Sequence, residues 1–195
     1  MRFSQEEIKD LFLAWILLSI AFAVLLGGFR NITIFFTSFI ISLLTAGIGF
    51  LLHELMHKVV AQKYHLWAEF RANYSMLFLT IVLSFLGFII AAPGAVLIQG
   101  HTTKEKNGKI SLAGPVANII LAFAFLIPLF FMLDQNMALT KIFFTYGFKI
   151  NALLALFNMI PFPPFDGWKV YEWDKTVYSI TIILSGALFI GSFFV

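Results

Sequence analysis

Six stretches of this chain carry almost no charge: Leu11–Phe29, Asn31–Leu52, Ala72–Gly100, Ile110–Leu133, Ile142–Phe165 and Thr176–Val195. Each approaches or exceeds the roughly 20 residues that a helix needs to cross a hydrocarbon layer about 30 Å thick. The residues are 61% hydrophobic and 12% charged, against about a quarter charged in soluble domains. The expected fold is an all-α polytopic membrane protein with about five to six transmembrane helices. No polar stretch is long enough to form a soluble domain, so residues 1–195 read as a single integral-membrane domain in a lipid bilayer.

There are no cysteines, which removes disulfides, thiolate catalysis and sulfur ligation of a metal. The net charge of +3 comes without a basic cluster interleaved with aromatics, so nucleic acid is not an expected partner. The basic residues flank apolar runs instead, as topology signals do. Ala21–Ala23 loosely fits a signal-peptide cleavage site, but Glu6, Glu7 and Asp10 stand beside Arg2 and Lys9 where a basic region is required. The first run therefore reads as a retained helix.

The second run ends in "GIGFLLHELMHKVVAQKY", Gly47 to Tyr64. HELMH matches the H-E-x-x-H zinc signature. Residues four apart share a helix face, so His53 and His57 can reach one ion. Glu54 lies about 100° round the helix, placed to take a proton from a water that the ion polarises. A pair of interfacial histidines beside a snorkelling Lys58 is the bland alternative. Ionisable residues inside a membrane segment point instead to a functional site.

A catalytic zinc takes three protein ligands and keeps one position open. Candidates for the third are His65, His101, Glu6, Glu7, Asp10, Glu69, Glu105, Asp134, Asp166, Glu172 and Asp174. Asp166 stands out because it lies in "NMIPFPPFDGW", Asn158 to Trp168, where three prolines and a glycine break an apolar run. Broken backbone at membrane depth belongs where it is buried in protein or lines a cavity. An ordinary proline-rich loop is the competing reading.

HELMH, "AGPVAN" (Ala113–Asn118) expected to open a later helix, and "NMIPFPPFDG" at the end of the next together resemble the site-2 protease family of intramembrane zinc metalloproteases. The resemblance covers residues 47–168, within a catalytic core of about residues 31–168. It implies one Zn2+ per chain, held by His53, His57 and Asp166, with Glu54 as general base. It further implies that Asn118 and Asn158 lie beside the metal and help to hold substrate or transition state. The substrate would be a transmembrane protein, cut in or near its membrane segment. The resemblance also implies a re-entrant or β element beside the site, whose edge could pair with an extended substrate.

One ion demands that HELMH and Asp166 lie on the same side of the membrane, so an even number of crossings must separate them. Three apolar runs intervene, and Ala72–Gly100, broken at "AAPGAV" (Ala91–Val96), is expected to dip in and return, with Val96–Ile98 as a strand. Ten basic residues then lie on the N-terminal side, against Arg30 and Lys141 opposite, a strong positive-inside bias. A full crossing by Ala72–Gly100 would erase that bias. The expected order is a cytoplasmic N-terminus, five crossings, one re-entrant element, a site opening toward the cytoplasm and a C-terminus at the outer face of the cell membrane. Continuing the second helix to Lys63 makes it about 48 Å long.

Asn151 shares a helix face with Asn158 and either faces the metal or bonds between helices. Lys149 is expected to snorkel or pair locally, and His65 and His101 to lie at the interface. Two rival functions remain. A metal transporter or sensor would use the same ligands without needing Glu54, and an inactive scaffold would have no use for an intact HELMH and Asp166.

Overall fold

The computed structural model describes residues 2–29, 31–89, 93–132 and 138–195. Helix α1 (Gln5–Gly27) begins where the Ser4 hydroxyl accepts the Glu7 N–H at 3.1 Å. Glu6 and Glu7 favour that polarised first turn. It ends at Gly28, whose φ of 62° suits glycine. Helices α2 (Ile32–Ser42) and α3 (Ile48–Lys63) are joined by a π-helical turn, Leu43–Gly47, into one helix of 32 residues. This is the long second helix expected from the sequence. A π-turn leaves a carbonyl off the regular ladder, and Leu43 O accepts Trp15 Nε1–H at 3.0 Å from α1. A Cβ on Gly47 would lie 2.5 Å from the Trp15 ring, so glycine lets α1 pack on the turn.

Strands β1 (Trp67–Ala72) and β2 (Gly94–Gln99) pair antiparallel, with Trp67 opposite Gln99 and Ala72 opposite Gly94. Between them lies α4 (Tyr74–Phe85), capped by Asn73, whose own N–H bonds Pro93 O at 2.9 Å. A segment whose two ends lie side by side makes no net crossing. Moreover α4 has only 12 residues, about 18 Å. The expected β element is present, and its strand runs beyond the expected Val96–Ile98. Arg30, Ala91, Ala92 and Asp134, which entered the sequence reading, lie outside the described residues.

Helix α5 (Lys104–Leu129) is capped by Thr103, which accepts the Lys106 N–H at 3.2 Å. Here one expectation is overturned: Ala113–Asn118 does not open a helix but lies well inside α5. Pro115 removes a backbone donor within the helix, a cost that packing of α5 on both α3 and α6 offsets. Helix α6 (Ala138–Asn158) stops before Pro161, Pro163 and Pro164, and a short turn leads into α7 (Asp166–Trp173). Asp174 caps α8 (Lys175–Gly191) by accepting N–H groups of Thr176 and Val177.

Among the described residues, α1, the joined α2–α3, α5 and α6 are long and apolar enough to cross a membrane. The last expected crossing rests on α8, which has 17 residues, about 26 Å. The chain is a multi-pass membrane protein. One core joins Leu11, Leu18 and Phe22 of α1 to Phe50, Phe70 and Leu77. A second joins Ile119 and Ala122 of α5 to Phe148, Ala152 and Leu188. Phe78 and Phe131 point outward, where lipid would cover them.

Candidate metal centre

The two histidines of α3 and the first residue of α7 converge. Asp166 Oδ2 lies 3.3 Å from His53 Nε2 and 3.1 Å from His57 Nε2. The three candidate donor atoms fall within 4.8 Å of one another. The helical spacing of HELMH puts both imidazoles on one face, and the prolines after α6 let the chain turn back so that Asp166 meets them.

Each imidazole is fixed from behind. His53 Nδ1–H donates to Asn118 Oδ1 at 2.6 Å, and His57 Nδ1–H donates to Ile110 O at 2.8 Å. With Nδ1 carrying the proton, each Nε2 lone pair faces Asp166, as metal-ligating histidines require. Two imidazoles and one carboxylate in a buried pocket fit a zinc with an open coordination position.

Asn118 is fully buried, and both its amide hydrogens are engaged, with Gly49 O and Asn151 Oδ1, each at 3.1 Å. Asn151 in turn donates to Gly147 O at 2.9 Å. Asn118 thus lies beside the cluster, and its carbonyl oxygen orients His53. Asn151 takes the interhelical hydrogen-bonding role, one of its two expected possibilities.

Glycines bring the elements close enough. A Cβ on Gly114 would lie 2.5 Å from Nε2 of both His53 and His57. The glycine of "AGPVAN" is thus where α5 lies against the ligands. Gly167, after Asp166, lies so close to the Met159 backbone that no side chain fits.

Glu54 is buried on the same helical turn as His53 and His57, and β2 packs against α3. The sheet explains this approach. Phe70 and Ala72 point their N–H groups at Glu7 and Asp10 of α1, away from β2. Their partners Val96 and Gly94 are therefore in non-hydrogen-bonded pairs, with backbone groups directed outward from β2.

Asn158 ends α6 near the Asp166 loop, and its Nδ2 donates to Leu154 O at 2.9 Å. The other described ligand candidates are not in the cluster. His65 closes the turn after α3 at φ 59°, and His101 precedes α5. Glu69 and Glu6 pair with Arg71, Glu105 with Lys109 and Glu172 with Lys104. Lys58 does not snorkel: it is 1% exposed and paired with Glu7. Lys149 lies over the Phe193 ring, 4.4 Å from its centre. Sequence reasoning missed the Ile110 carbonyl and the Glu7–Lys58 pair. The first carries no side-chain signal. The second had one, a lysine directly after a ligand histidine, but its partner lies 51 residues away.

No family model matches the chain, and no solved structure matches it. Curated relatives do. A protein of Methanocaldococcus jannaschii, assigned by name to the zinc metalloproteases, is 46% identical over 181 residues, 92% of this chain and 90% of that one. A Bacillus subtilis protein with the same assignment is 31% identical over 145 residues, 66% of each chain. A second M. jannaschii protein, named a zinc metalloprotease, is 30% identical over 123 residues, 63% of this chain and 31% of its own length.

Proposed function

This chain belongs to the zinc metalloprotease family of these relatives, and we propose that within it the chain is an intramembrane endopeptidase of the site-2 type, cutting membrane proteins in or near their transmembrane segments. The observation that carries this reading is the buried Glu54 beside the His53–His57–Asp166 cluster, on a helix long and apolar enough to span a bilayer. A transporter or sensor would need the ligands but not that carboxylate.

His53, His57 and Asp166 would hold one zinc ion. When bound, it supplies a Lewis acid that polarises the scissile carbonyl and makes water acidic near neutral pH. Glu54 takes the proton from the attacking water and returns it to the departing amine. Asn118 and the Ile110 carbonyl keep the ligand imidazoles oriented through the cycle. Asn158 is the side chain proposed to meet the substrate.

A helical substrate hides its carbonyls, so the scissile region must unwind. The outward backbone groups of Gly94, Val96 and Ile98 offer an unwound segment a strand to pair with, directly beside Glu54. Substrates with helix-weakening residues near the cut are therefore preferred. The excess of basic residues on the side of His57 and Asp166 supports a site that opens to the cytoplasm from the cell membrane.

The test is Glu54→Gln, with zinc content and cleavage of a membrane peptide measured on the same preparation. Retained zinc with loss of cleavage is expected. Full activity would overturn the assignment of the base.

A further inference from the structure

The chemistry above leaves one buried charged pair unused. Glu7 of α1 and Lys58 of α3 are 0% and 1% exposed and form an ion pair. The other oxygen of Glu7 accepts the Phe70 N–H of β1 at 3.0 Å. Phe70 stands opposite Val96 of β2, and β2 packs against α3, the helix that carries Glu54. Glu54 and Lys58 are four residues apart on α3, one turn along the same face. The contacts close a ring that leaves α3 at Lys58, passes through Glu7, Phe70 and Val96, and returns to α3 where β2 packs on it.

Other contacts brace the ring without replacing its centre. Asp10 accepts the Ala72 N–H at 3.1 Å, Ser4 bonds Glu69, and the Phe50 and Phe70 rings meet edge to face. Among the described residues, only Glu7 touches both α3 and β1 through one carboxylate. A buried ion pair gives little net stability over apolar residues of the same volume, so stability alone does not account for it. A carboxylate with two divergent acceptors fixes a distance and a direction between the elements that it joins.

We propose that Glu7 is a positioning residue: by holding β1 against the turn after the ligand histidines, it sets where β2 lies relative to Glu54. The proposal rests on the reading of Glu54 as the base and of β2 as the strand beside the substrate. Its consequence is separable from folding, because the acceptor for Phe70 can be removed or kept while both charges are removed together.

The experiment compares two double variants of the full chain in detergent, assayed for zinc content, helix content, and kcat and KM on a membrane peptide. Glu7→Leu with Lys58→Met removes both charges and the acceptor. Glu7→Gln with Lys58→Met removes the charges but keeps an oxygen for the Phe70 N–H. The first pair is expected to bind zinc and stay helical but lose at least about tenfold in kcat/KM, the scale of a displaced reacting geometry. The second is expected to recover most of that loss. Equal cleavage by the two pairs overturns the proposal, as does a loss that only tracks missing zinc or missing helix. Glu54→Gln runs beside them. If it cleaves, the assignment of the base fails. If it is inactive while Glu7→Leu with Lys58→Met is fully active, the base stands and the positioning role falls.

Discussion

His53 donates its Nδ1 proton to Asn118 across 2.6 Å, and Asn118 is itself held by Gly49 and Asn151. The candidate ligand on α3 is therefore oriented by α5, and α5 is braced by α6. Removing the acceptor with Asn118→Leu is expected to weaken zinc binding by about 10- to 100-fold, as loss of a partner behind a ligand histidine does. Asn118→Asp, which keeps an acceptor for His53, should bind more tightly than Asn118→Leu. Competition with a zinc chelator in detergent reads both affinities. Unchanged binding by Asn118→Leu would show that His53 needs no such partner.

Gly114→Ala should be far more damaging than a usual glycine-to-alanine change inside a helix, which is stabilising by roughly 0.5–1 kcal/mol. The new methyl would sit 2.5 Å from both ligand Nε2 atoms. Either α5 moves away or the imidazoles turn, and both outcomes break the ligand set. The expected result is near-complete loss of zinc and cleavage with helix content retained. A fully loaded, active Gly114→Ala protein would contradict the packing described.

Asp166→Ala removes the one ligand outside α3. It should leave zinc content well below one per chain and cleavage undetectable, measured by metal analysis and peptide assay. Chelation of wild type should likewise stop cleavage while the helix signal persists, because each long helix satisfies its own backbone. Melting of the helices on chelation would instead make the metal part of the fold.

The absence of cysteine makes topology directly testable. Single substitutions Lys63→Cys, Lys104→Cys and Lys175→Cys, all at exposed positions, should react with a membrane-impermeant thiol reagent from one side. Thr140→Cys, exposed at the start of α6, should react from the other. Labelling of Lys63→Cys and Lys104→Cys from opposite sides would mean that the β1–α4–β2 segment crosses, which would overturn the parity of the site.

Much of the site was legible because its chemistry is local. HELMH carries its own geometry in a spacing of four, and the proline run before Asp166 announces a break that a plain spanning helix would not tolerate. The expected parity of crossings rests on charges flanking apolar runs, and the labelling above tests it. The GPVAN segment misled for a physical reason. Pro115 suits a first turn in isolation, yet the cap at Thr103 and the packing of α5 on α3 and α6 carry the helix straight through it.

By itself, the sequence determined the apolar helical pattern, the candidate ligand pair with its adjacent carboxylate, and the break between Ala72 and Gly100, because each rests on hydrophobicity or periodicity within one segment. Only the tertiary structure decided which groups stand behind the histidines, why Gly114 has no side chain, and that Lys58 is buried against Glu7. Those relationships depend on the approach of backbones far apart in the chain, at distances of an atom's width, and no local pattern of residues encodes such a distance.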